Sequence, residues 1–218
     1  MILESQLHRG TPDWNLPLKH ESAWWSAFTR QGRTFLDVGA HVGTWTLNLA
    51  SRFERIFAFE PAPRAWKTLQ KNLELSGIKN VEVIPKAVSN VSGKIKLNLF
   101  YNPSGNTMYD PAACNRFAPD SPVDVLEVDA VSIDDFVCER SIADVDFLKI
   151  DTEAAELKII PGAVETIRSQ NPDLFIEMHG LFYERLRRMI PFVELDVIDA
   201  GRSGMSLVRH RDRWPAFA

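Results

Sequence analysis

The amino-acid sequence predicts one α/β domain, a mostly parallel sheet with helices on both faces. Three observations carry that reading. Short apolar runs alternate with longer helix-period segments, the pattern of repeated strand–helix units. The first run, 34–38, passes into a turn holding Gly39 and Gly43, and a helical pattern follows from Thr44. The second run, 55–60, ends on Glu60, 21 residues after Gly39. Glycine lets a ligand approach the backbone closely, and the following helix start offers free N–H groups. An acid at the tip of the second strand accepts the hydroxyls of a ribose, as in nucleotide-binding α/β folds.

Each element has its own signal. Residues 21–30 have a helical pattern and belong to an N-terminal helical cap, 1–31, ahead of the sheet domain at 32–218; cap and sheet form a single domain overall. The strand at 34–38 is short and apolar around Asp37, and the helix at 44–51 starts where the glycines end. After the strand at 55–60, the helix at 63–76 opens at Ala62-Pro63 and closes at Ser76-Gly77. Proline in the first turn and glycine just past the last one are the expected caps. A strand follows at 81–85. The stretches 94–100 and 123–128 then show period-two patterning, which predicts an extra hairpin or edge strands. Between them lie about 22 residues, 101–122, rich in Pro, Asn, Ser and Gly. A connection of that length in a compact domain predicts a functional lid or a disordered loop, and its density of hydrogen-bonding residues favours the lid. Strands at 145–150, 174–178, 192–198 and 205–209 and helices at 154–170, broken near Pro161-Gly162, and 181–189 complete the alternation. No internal repeat, linker or second domain is visible.

Composition excludes several function classes. The 218 residues, 45% hydrophobic and 25% charged, suit one soluble domain with a full core. A net charge of −4 argues against nucleic-acid binding, which needs clustered Lys and Arg. The basic clusters at 185–188 and 209–213 read as a solvated helix face and a charged tail. Cys114 and Cys138 have no metal spacing around them, which predicts reduced thiols. No leader-like start and no run approaching 18 apolar residues is present, so a cytoplasmic protein without membrane contact is expected.

The glycine spacing narrows the ligand. A dinucleotide fingerprint would need glycine at His41 and Thr44. What stands instead is Asp37-x-Gly39-x-x-x-Gly43, similar to motif I of the Rossmann-like methyltransferases that use S-adenosylmethionine. A ligand with a methionine tail needs an acid near its ammonium group, and Asp37 is the candidate.

Further segments extend the likeness: Phe57-Ala-Phe-Glu-Pro61, Lys71-Asn-Leu-Glu-Leu-Ser76, Lys86-Ala-Val-Ser89, Ser104-Gly-Asn-Thr107, and above all Val145-Asp-Phe-Leu-Lys-Ile-Asp-Thr-Glu-Ala-Ala-Glu-Leu-Lys158 with Pro161-Gly-Ala163. In this order and spacing the chain resembles the FkbM family of S-adenosylmethionine-dependent methyltransferases from about Gly32 to Ile198. The resemblance implies a Rossmann-like class I methyltransferase fold with a seven-stranded, mostly parallel sheet. It also implies methyl transfer to an oxygen of a small metabolite or sugar-like acceptor. One position departs: Ala154 stands where similar sequences usually carry glycine. Alanine there costs on the order of 1 kcal/mol if the turn requires a positive φ.

On this reading the cofactor is held by Asp37, Gly39, Ala40, His41, Gly43, Glu60, Pro61, Ala87, Ser89 and Asp151. Ligands in such folds lie outside the carboxyl ends of the strands. Asp151 and Glu153 follow one core strand, and Glu177 and His179 end the next. A hydroxyl acceptor must lose a proton, and His179, whose ordinary pKa lies near operating pH, is the leading base. Asp151 and Glu153 complete the catalytic set. Glu177, with Asn102, Ser104, Asn106 and Tyr109 of the predicted lid, is assigned to the acceptor. Asp151 and Glu177 admit a hard divalent cation without requiring one, and none is expected. The partner expected is a small-molecule acceptor, and the chain is compatible with a homodimer.

Two alternatives stay open. One keeps the cofactor and methylates nitrogen in a peptide or nucleobase, although Asp151-Thr-Glu-Ala replaces the Asn/Asp-Pro-Pro-Tyr-type motif common in base methylation. The other is a non-catalytic homologue that binds cofactor without turnover.

Overall fold

A computed structural model of the chain describes residues 31–100, 108, 122, 124–153, 155–177, 183–194 and 205–206. The chain runs β1 (Gly32–Val38), α1 (Thr44–Leu49), a 3₁₀ turn (Ala50–Arg52), β2 (Phe53–Phe59), α2 (Pro63–Ser76), β3 (Val81–Ile84) and β4 (Ala87–Val88). It continues through β5 (Gly93–Leu99), β6 (Asp124–Val131), α3 (Ile133–Glu139), β7 (Val145–Ile150), α4 (Glu156–Ile159) and a second 3₁₀ turn (Ile160–Gly162). α5 (Val164–Gln170), β8 (Asp173–Glu177), α6 (Tyr183–Met189) and β9 (Met205–Ser206) complete it.

The main sheet has the order β3-β2-β1-β7-β8-β9. β1, β2, β3, β7 and β8 pair in parallel, and β9 runs antiparallel to β8. Strand order reverses between β1 and β7, which opens a crevice at their carboxyl ends. A second sheet, β4-β6-β5, pairs β5 with β6 from Gly93↔Ala130 to Leu99↔Asp124. This is the hairpin that the period-two patterning predicts.

Strands buried on both faces explain the apolar composition of β1, β2 and β7. On one face Phe35 stacks on its register partner Phe147 at 4.8 Å, and Trp45 meets Phe175 at 4.6 Å. On the other, Leu36, Val38, Phe57, Phe59, Leu148 and Ile150 join the largest buried cluster with α3, α4 and α5. α2 buries Ala65, Leu69 and Leu73 and ends as predicted, with Gly77 in the left-handed region at φ 67° and its N–H bonded to the Glu74 carbonyl.

Three expectations change. Among the described residues the strands divide into sheets of six and three rather than one sheet of seven. No strand begins at Phe192, because Val193 N–H donates to the Ile190 carbonyl at 3.0 Å and turns the chain after Pro191. Helix α3, which the periodicity does not announce, fills the space between β6 and β7. Its cap is Ser132, whose hydroxyl accepts from the Asp135 N–H at 3.0 Å. The helix predicted at 154–170 does break at Pro161-Gly162, into α4 and α5. Residues 1–30 of the N-terminal cap, Ala154, His179, residues 195–198 and 207–209 of the last two predicted strands, and the predicted lid apart from Met108 and Pro122 lie outside the described residues. Among the described residues no helix is long and apolar enough to cross a membrane.

Candidate functional site

A cavity of about 280 Å³ opens at the carboxyl ends of β1, β2, β7 and β8. Its floor is the turn after β1. Gly39 and Ala40 N–H groups both donate to the Phe59 carbonyl, at 3.0 and 2.9 Å, which binds this turn to the tip of β2. Gly39 takes φ 77°, and a Cβ there would lie 1.9 Å from the Asp151 carbonyl oxygen. Glycine is thus required twice, by the dihedral and by the passage of the β7–α4 loop across it.

Glu60 is held by this turn from both sides. Its Oε2 accepts the His41 N–H at 2.9 Å and its Oε1 the Ala62 N–H at 2.8 Å. It is 7% exposed and lines the cavity. Burial pushes its pKa up to about 7, with Asp37 adding to the rise and the two N–H bonds and Lys149 opposing it. His41, at φ 51°, also lines the cavity. Burial lowers its pKa to about 4, against the attraction of Asp151 and with the help of Lys149, so the imidazole is neutral at pH 7.

Asp37 does not reach the cavity. It is fully buried; Oδ2 accepts the Thr46 hydroxyl at 2.6 Å, and Oδ1 lies 3.2 Å from the Lys149 ammonium. Lys149 also lies 3.5 Å from Asp151 Oδ2 and donates to the Gly39 carbonyl at 2.8 Å. The acid that meets the cavity on this side is therefore Asp151. Beside it, the Glu177 carboxyl hydrogen-bonds the Asp151 carboxylate. Burial and that neighbouring charge hold Glu177 protonated, far above the usual carboxylate range.

Of the residues assigned from sequence, the structure gathers Gly39, Ala40, His41, Glu60, Pro61, Ala87, Asp151, Glu153 and Glu177 around one cavity. Gly43 instead faces α2, where a Cβ would lie 2.4 Å from Leu69 Cδ1. Ser89 is buried behind β4, its hydroxyl 3.2 Å from Asn90 Oδ1. Neither lines the cavity. His179, Asn102, Ser104, Asn106 and Tyr109 lie outside the described residues. Lys86, Leu97, Lys149 and Thr152 line the cavity and were not singled out by their residue types. Lys149 carried a signal, since a lysine inside an apolar strand between acids is seldom buried without a partner. Among the described residues no group of three or more His, Cys, Asp or Glu is arranged to hold a metal ion.

A parallel sheet with its crevice at the switch point, a glycine turn under that crevice and a buried acid at the β2 tip define a Rossmann-like α/β protein. Comparison places it more closely. The family described as the methyltransferase FkbM domain matches residues 37–201, and the chain belongs to that family. It is 28% identical over 141 residues to methyltransferase 1 of Beauveria bassiana, which covers 58% of this chain and 57% of that protein. It is 25% identical over 177 residues to the 31-O-demethyl-FK506 methyltransferase FkbM of Streptomyces tacrolimicus, covering 70% of this chain and 67% of the relative. The crystal structure of methyltransferase FkbM from Methylobacillus flagellatus shares the fold, with a TM-score of 0.55 at 19% identity over 80% of this chain and 42% of the other.

Proposed function

We propose that the chain is an S-adenosylmethionine-dependent O-methyltransferase acting on the hydroxyl of a small-molecule or sugar-like acceptor. The observation that carries the reading is Glu60, fixed by two backbone N–H groups at the β2 tip and facing the cavity beside the Gly39 turn. Each carboxylate oxygen keeps a lone pair for a ribose hydroxyl. Ala40, His41, Pro61 and Ala87 supply the neighbouring walls, and Asp151 takes the ammonium end in place of the buried Asp37.

The cofactor supplies an electrophilic methyl group on a sulfonium. The chain must hold the acceptor oxygen in line with it, exclude water and receive the acceptor's proton. His179, two residues beyond β8, is the proposed proton acceptor, and Glu177 and Glu153 face the acceptor side. That the Streptomyces relative is a 31-O-demethyl-FK506 methyltransferase supports oxygen as the atom methylated.

The test is incubation with methyl-labelled S-adenosylmethionine and fractionated acceptor pools, followed by mass spectrometry. Label on the oxygen of a hydroxyl compound is expected. Label confined to nitrogen, or none across acceptor classes, overturns the reading.

A further inference from the structure

Lys149 is the buried charge that the proposed chemistry leaves unused. Its side chain is 2% exposed and lies on β7 between two acids, 3.2 Å from Asp37 Oδ1 and 3.5 Å from Asp151 Oδ2. The Gly39 carbonyl accepts from it at 2.8 Å and fixes its position against the glycine turn. We propose that Lys149 is a positioning residue acting through Asp151: clamped by Asp37 and the Gly39 carbonyl, it keeps the Asp151 carboxylate, rather than the Glu177 carboxyl beside it, as the negative group that this end of the cavity turns to a cation.

The charges are as follows. Two carboxyl groups in hydrogen-bond contact cannot both ionise cheaply, and a cation beside one of them decides which does. Lys149 stands beside Asp151, while Glu177 reaches the pair from β8 and keeps the proton. Asp37 and Lys149 offset each other, which leaves Asp151 as the charge of this group of four. Among the described residues, the other titratable groups that line this cavity are His41, neutral in the glycine turn, Glu153 from the same loop, Glu60 across the turn, and Lys86 between β3 and β4. A carboxylate set this way suits an ammonium or sulfonium, the groups that an S-adenosyl cofactor carries and adenosine lacks. The inference rests on the proposed cofactor, and the experiment separates the two.

Calorimetry of S-adenosylhomocysteine and of adenosine measures the amino-acid end as the ratio of their affinities. Lys149→Met should lower that ratio about tenfold or more at neutral pH while adenosine binding stays within about threefold. Asp151→Asn should lower the ratio similarly, and the double variant should lose no more than either single one, because both changes remove the same carboxylate. A structural role alone would weaken both ligands together and leave their ratio at the parent's value; that result overturns the proposal. Additive losses in the double variant also overturn it. If Lys149→Met does not fold, Asp151→Asn decides alone: a ratio equal to the parent's refutes the assignment. Failure of the parent protein to bind either ligand refutes the proposed cofactor instead.

Discussion

Replacing Gly39 with alanine concentrates the strain of the site in one methyl group. At φ 77° an L side chain costs about 1–2 kcal/mol by itself. The added Cβ would sit 1.9 Å from the Asp151 carbonyl oxygen, so the two loops must part by about 1.5 Å to reach an ordinary contact of 3.4 Å. That movement pulls on the Asp151 N–H bond to the Val38 carbonyl, 3.1 Å, and on the Lys149 bond to Gly39, 2.8 Å. Overpacking of this kind costs about 1–3 kcal/mol. The combined loss is about 2–5 kcal/mol, a fall in Tm of roughly 4–20 °C for a domain of this size. Urea unfolding gives the stability, and calorimetry with S-adenosylhomocysteine gives the site. The expected result is a loss of both, with affinity reduced more than tenfold in the protein that remains folded. A Gly39→Ala protein within about 0.5 kcal/mol of the parent, binding equally well, would refute the claim that these two loops meet here.

Two further outcomes follow from the site. Glu60→Ala leaves the His41 and Ala62 N–H groups without their acceptor, which should destabilise by about 1–3 kcal/mol for each and cut cofactor affinity ten- to a hundredfold in a calorimetric titration. The pKa of Glu60 near 7 sets a pH signature: cofactor affinity should fall as pH drops below 7 and level off within the ten- to hundredfold lost in Glu60→Ala, since the protonated acid offers one acceptor fewer. For folding the sign is opposite. A raised acid stabilises the fold at low pH, and that contribution is lost as pH rises from about 4.5 through 7; Glu60→Gln should flatten it. His179→Ala should lower turnover about a hundredfold and leave cofactor affinity nearly intact, and a rate within twofold of the parent would remove it as the base.

Much of the fold was legible because local chemistry and tertiary structure agree. Pro63 and Gly77 bracket α2 as capping predicts, and the alternation at 94–100 and 123–128 became β5 and β6 because their hairpin buries only one face. Helix α3 escaped because its seven residues are too short for periodicity to declare, although Ser132-x-x-Asp135 marked its start. Of the strand expected at 192–198, the described residues 192–194 are not in a strand, because the Val193–Ile190 hydrogen bond turns the chain just after Pro191. In the site, sequence placed Glu60 and Asp151 at strand tips correctly, because strand ends follow from hydrophobic runs. It could not place Asp37. Whether an acid at the end of β1 faces the ligand or the interior depends on Lys149 and Thr46, which reach it from β7 and α1. Pairing across the sheet decides that, and no local pattern encodes it.

The most direct measurement is a calorimetric titration of the parent protein with S-adenosylhomocysteine and, in parallel, with NAD. The glycine spacing, Glu60 at the β2 tip and Asp151 at the cavity wall predict saturable one-to-one binding of S-adenosylhomocysteine and no heat of binding from NAD. Binding of NAD, or of neither ligand, would contradict the account.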